Sequence, residues 1–342
     1  MFKKLFGISS KKRDLSGLLE WVNRYNRENI YKEEHLEQIE WLHIGGDDTL
    51  VTIPDEIEYM QNLKELSFDK NSITTLPKAV AKLKNLQTLI FKDMPLKEVP
   101  KEIFELENLT HLTFGRTDMT ELPKEIAQLK KLRSLDLYTS KFTTLPEELC
   151  ECSELEILRL FGSNVTTLPK SIGKLQKLQS LDMNYSKINS LPDSFTELQK
   201  LTRLELSSAK EFHTLLENIG DMQALEAIYL DRTQIDELPK SAEKLSNLKL
   251  LDLEVTKLTA LPDAITSLQN LEILILLKTK VTQLPPQMQE LPKLKIATKR
   301  VETSLSNIVT DGVIPLRLEV EKHLSKQKTI FDLKSINGEM LP

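Results

Sequence analysis

LKELSFDKNSITTLPKAVAKLKN, Leu63–Asn85, is one copy of a unit that returns along most of the chain. Its first leucine recurs at Leu86, Leu109, Leu132, Leu155, Leu178, Leu201, Leu225, Leu248, Leu271 and Leu294. Every step is 23 residues except Leu201 to Leu225, which is 24. The shared pattern is L-x-x-L-x-L-x-x-[TSN]-x-Z-x-x-L-P-x-x-I-x-x-L-x-x, where Z is apolar. A fixed period of this size marks units that cannot bury their apolar side alone and stack so that each covers the next.

Each position has a mechanical reason. In L-x-x-L-x-L the last two leucines fall on one face of a short strand, because side chains alternate with period two. The residues between them face outward. The L-P step starts a helical segment, with proline expected at the first helical position, where a missing N–H costs nothing. Ten of the fifteen prolines, from Pro54 to Pro285, hold this slot. The I-x-x-L spacing then sets Val80 and Leu83, and their equivalents, on one inward stripe.

The ninth position is a ladder of short polar residues: Asn71, Thr117, Ser140, Ser163, Ser186, Thr233, Thr256 and Thr279. Buried backbone groups need partners, and such side chains reach them. Met94 and Ala209 interrupt the ladder.

These residues resemble the leucine-rich-repeat superfamily, in its 23-residue class, which includes Ras-associated scaffolds and bacterial intracellular repeat proteins. The resemblance covers about residues 39–294. It implies an α/β solenoid of horseshoe form, with a parallel sheet on the concave face, short helices on the convex face and a protein or peptide partner held by the concave face. Related bacterial effectors add a large ubiquitin-ligase domain; only about 48 residues follow the repeats here.

The domain reading follows from the same pattern. Residues 1–13 form a flexible basic and apolar tip, and 14–38 a helical N-terminal cap in which Leu15, Leu18, Leu19 and Val22 have helical spacing. Residues 39–294 are the solenoid, one degenerate and about ten regular coils. Residues 295–342 are a C-terminal cap and tail, with a helix expected near Leu316–Leu324.

Composition narrows the function classes. The 46 basic and 51 acidic residues leave a net charge of −5, without the basic footprint of a nucleic-acid binder. Cys150 and Cys152 stand one residue apart, too close for an ordinary disulfide. The opening MFKKLFGISSKKR lacks the apolar core of a signal peptide, so the expected location is cytoplasmic. Its Phe2, Leu5, Phe6 and Ile8 beside Lys3 and Lys4 leave membrane contact by the tip as a lesser alternative.

Catalysis finds no motif: the histidines are dispersed, and no phosphate loop or dinucleotide fingerprint occurs. Neither cofactor nor metal is expected. The reading is a non-enzymatic interaction module or scaffold. A secreted bacterial effector that binds a host protein is the first alternative, and a hydrolytic enzyme the remotest.

Candidate partner contacts come from the outward strand positions. Tyr138, Phe161 and Tyr185 fall in three consecutive coils, flanked by Asp136, Arg159 and Asp182, with Arg203 and Tyr229 further on. Aromatics with arginine are what binding hot spots favour. Leu250, Val255, Ile273, Ile275 and Leu277 read as an outward apolar patch, covered by the C-terminal tail or forming an interface. The extra residue of the slipped motif, near Glu211, is expected to push Glu211, Phe212 and His213 outward.

Overall fold

The computed structural model describes residues 14–26, 31–297 and 309–310. The chain divides into two compact units, Met1–Glu205 with Ala209–Phe212, and Leu206–Ser208 with His213–Pro342.

The first unit opens with α1 (Ser16–Tyr25), whose Leu18 and Val22 are buried, followed by a 3-10 turn at Glu33–Gln38. Eight parallel strands then stack in chain order. They are β1 (Trp41–Asp47), β2 (Glu65–Asn71), β3 (Thr88–Lys92), β4 (His111–Gly115), β5 (Ser134–Asp136), β6 (Ile157–Arg159), β7 (Ser180–Asp182) and β8 (Arg203–Glu205). The second unit carries β9 (Ala227–Tyr229), β10 (Leu250–Asp252), β11 (Ile273–Ile275), β12 (Lys295–Ala297) and β13 (Val309–Thr310), again parallel and in chain order. This is a leucine-rich-repeat solenoid.

The repeat leucines are the core: Leu63, Leu66, Phe68, Ile73, Val80 and Leu83 of one coil are fully buried, and their equivalents match them. Phe68, Phe91 and Phe114 stack in successive coils, with ring centroids 5.8 and 5.5 Å apart. The segments between strands are 3-10 turns of three to five residues, such as Lys78–Lys82. Proline stands one residue earlier than expected. Pro77 is the residue before the turn, extended at φ −71° and ψ 150°, and its carbonyl accepts the Val80 N–H at 3.1 Å. Its fixed φ serves the entry to the turn, and its carbonyl closes the first ring.

The eighth residue of every regular coil has a left-handed backbone, from Lys70 to Lys278, with φ between 47° and 62°. Among these, Gly162 alone is glycine. The reversal brings the ninth residue back inside, where Asn71, Ser140 and Thr256 are at most 5% exposed. Ser186, Thr233, Thr256 and Thr279 each donate their hydroxyl to the carbonyl three residues back, at 2.6–2.8 Å. The hydroxyls of Thr117, Ser140 and Ser163 are buried without a partner, so the ladder is bonded only in part.

The slipped motif differs from expectation. Phe212 is fully buried in the apolar slot, and only its neighbours Glu211 and His213 face solvent. The core keeps its large side chain, so the extra residue is absorbed in the surface turn before it. The N-terminal tip, the expected Leu316–Leu324 helix and the C-terminal cover lie outside the described residues.

Candidate binding surface

Strand alternation builds the surface. Along β5–β8, Leu135, Leu158, Leu181 and Leu204 point into the core and are buried, so their neighbours must face the other way. The parallel register pairs Asp136 with Arg159, Arg159 with Asp182, and Asp182 with Glu205. Four charged side chains thus form one row, each about 4.8 Å from the next by strand spacing.

The row is internally wired. Arg159 Nη1 donates to Asp136 Oδ2 at 3.3 Å. Arg203 Nε pairs with Glu205 Oε1 at 3.0 Å, and Asn184 Nδ2 donates to Glu205 Oε2 at 3.1 Å. Asp136 and Asp182 also accept the backbone N–H two residues on, Tyr138 at 3.1 Å and Asn184 at 3.0 Å. Such bonds hold the chain as it leaves the strand. Burial raises the Asp136 carboxyl above its ordinary range, and Arg159 opposes the rise. Burial and then the adjacent Glu205 push Asp182 up to about 7.

The three aromatics do not sit alike. Tyr138 lies over Gly115, where an added Cβ would come within 2.0 Å of its ring. The Arg116 guanidinium is 5.8 Å from the Tyr138 ring centroid. Glycine at that position is what lets the ring lie down, and burial pushes the phenol up to about 12. Phe161 and Tyr185 instead pack on each other, with centroids 5.2 Å apart at 51°. Tyr185 holds the left-handed eighth position, at φ 57°, and is 56% exposed.

Of the residues expected to contact a partner, Asp136, Arg159, Phe161, Asp182, Tyr185 and Arg203 are brought onto one face, with Tyr138 leaning toward β4. Tyr229 is a correction: it is only 4% exposed, in the second unit. There it joins Ala227, Leu250, Ile273, Ile275, Leu277 and Ala297 in one buried apolar cluster. The outward apolar patch, read as covered or as an interface, is buried, and of its members only Val255 stays partly accessible. Alternation does set these side chains on the outward side, but apolar groups that dense do not remain in water.

Asn184 and Glu205 belong to the surface although neither was chosen as a contact; their strand positions alone would have found them. Trp41 was also missed. It is 59% exposed on the outward side of β1, with Lys64 Nζ 5.9 Å from its ring centroid and His43 Nε2 2.9 Å from Glu65 Oε1 nearby. Among the described residues, no group of three or more His, Cys, Asp or Glu could hold a metal ion. Cys150 and Cys152 are both free and buried.

Known proteins place this geometry in a family. A model described as a leucine-rich repeat region matches residues 54–160 and 147–240, together more than half of the chain. No curated protein matches. Among solved structures, a leucine-rich-repeat protein of Leptospira interrogans is 25% identical, with a TM-score of 0.57 over 93% of this chain and 98% of its own. An internalin of Listeria monocytogenes shares the fold at 20% identity and a TM-score of 0.63, over 87% of this chain and 94% of its own. A plant peptide hormone receptor, solved in complex with RGF2, is 25% identical with a TM-score of 0.62; the match spans 77% of this chain and 48% of the receptor. The chain belongs to the leucine-rich-repeat family.

Proposed function

We propose that this chain is a protein- or peptide-binding module whose docking surface is the outward face of β5–β8. The observation that carries the reading is the Phe161–Tyr185 pair: two aromatic rings in contact, one of them more than half exposed, beside a row of half-buried charges. Rigid aromatics flanked by arginine supply contact area at little conformational cost and are the usual anchors of interfaces. The likeness to a plant peptide hormone receptor solved in complex with RGF2 agrees with this use of the fold.

The test is affinity capture with crosslinking mass spectrometry from the source cells. Phe161→Ala combined with Tyr185→Ala is expected to remove the captured partner while leaving the melting temperature within about 2–3 °C, since surface truncations cost little. Crosslinks confined to the 3-10 turns, or capture unchanged in the double variant, would overturn the assignment.

A further inference from the structure

The charges on this face do not balance, and the imbalance is local. Three carboxylates, Asp136, Asp182 and Glu205, stand in the row with one guanidinium, Arg159, and a second, Arg203, lies two residues before Glu205 on β8. Arg159 is committed to Asp136, and Arg203 to Glu205. Asp182 is left with one neutral donor, the backbone N–H of Asn184 at 3.0 Å. Among the described residues, no lysine or arginine forms an ion pair with it; Arg159, its register neighbour, favours its charge but bonds to Asp136. A half-buried carboxylate is costly to leave without a counterion.

What lies beside that carboxylate decides the kind of ion. Phe161 lies two residues beyond Arg159, the register partner of Asp182, and Tyr185 three residues beyond Asp182 itself, so the ring pair stands just past the strand ends that carry the charge. Aromatic faces attract cations, and a planar guanidinium both stacks on a ring and meets a carboxylate with two N–H groups. A hydrated ammonium gains less from each. Resting on the docking surface proposed above, we infer that the site takes a basic segment of a protein partner, anchored by an arginine whose guanidinium reaches Asp182 alongside the Phe161–Tyr185 ring pair.

The probe is an array of random nonapeptide pools, each with one residue type fixed at the centre, incubated with the full chain. The arginine pool is expected to retain at least about ten-fold more protein than the glutamate pool, and more than the lysine pool. Asp182→Asn keeps an oxygen to accept the Asn184 N–H, so it should fold, as an unchanged circular dichroism spectrum will verify. In that variant the arginine preference is expected to fall below about two-fold, with the neutral pools unaffected. Preference retained in Asp182→Asn, or lysine equal to arginine, would overturn the inference. The double variant at Phe161 and Tyr185 separates the two readings. If it loses every pool while Asp182→Asn keeps the arginine preference, the docking surface stands and the arginine anchor fails. If it loses none, the surface itself is wrong.

Discussion

The outward faces of β5–β8 and of β9–β12 are built from the same strand positions and have opposite character. On the first, Ser134, Asp136, Arg159, Ser180, Asp182, Arg203 and Glu205 keep part of their surface in water. On the second, Ala227, Tyr229, Leu250, Ile273 and Ile275 have essentially none. The inward leucines behind both are alike, so the repeat fixes one side of the sheet and leaves the other free. A parallel sheet covered on both faces reads as continuous apolar strands, as LEILILL at Leu271–Leu277 does. A half-open one alternates, as SLDLY at Ser134–Tyr138 does. Recognition is expected where alternation survives.

The largest test of this contrast puts the same charge into both faces. Ile275→Asp removes a fully buried branched side chain and strands a carboxylate in an apolar cluster. The cavity and the uncompensated charge together should cost about 5 kcal/mol or more, seen as loss of the cooperative urea transition. Ser134→Asp, half-buried on β5, should cost less than about 1 kcal/mol. Equal costs would mean that the two faces do not differ in burial.

A matched tyrosine pair sharpens the comparison at smaller amplitude. Tyr229→Ala opens a void in the second cluster and is expected to lose about 3–5 kcal/mol in denaturant melts. Tyr185→Ala removes a ring that is mostly in water, and stability should move by less than about 0.5 kcal/mol. Its effect should appear instead as lost partner capture. A destabilising Tyr185→Ala would recast the Phe161–Tyr185 contact as structural.

How far the sequence foretold these faces depends on what was periodic. The strands, the inward leucines, the buried ninth residue and the outward placement of Asp136, Arg159 and Asp182 all follow from spacing, because spacing reports geometry. Proline's place before the turn did not, since a 3-10 turn shifts the helix start by one residue and leaves the L-P spacing unchanged. Tyr229 was misjudged because alternation gives direction, not exposure; whether a face is covered depends on the residues of neighbouring strands taken together. Ile273 and Ile275 beside Leu250 were the available signal. The Tyr138 orientation depended on Gly115, which no period announces, and that of Tyr185 on the left-handed eighth position, which recurs in every regular coil but has no shared residue type to read.

The smallest expected effect concerns pH and the open face alone. Asp182 is held at about 7, against an ordinary value of 3.8, by burial first and then by Glu205, with Asp136 adding and Arg159 opposing. The folded chain therefore keeps a proton on Asp182 in a window where the unfolded chain has released it. Stability must then fall as pH rises from about 4 to about 7, and level off above. The full linkage is discounted, because the carboxyl retains some contact with water, to about 1–3 kcal/mol. Urea midpoints at several pH values should show this loss in the parent chain and not in Asp182→Asn, which ought to be the more stable of the two above neutrality. The same proton opposes a basic ligand, so retention of arginine pools should weaken below about pH 7. Parallel pH profiles for the two proteins would show that Asp182 is already neutralised within the fold, and the open face would then hold no charge waiting for a partner.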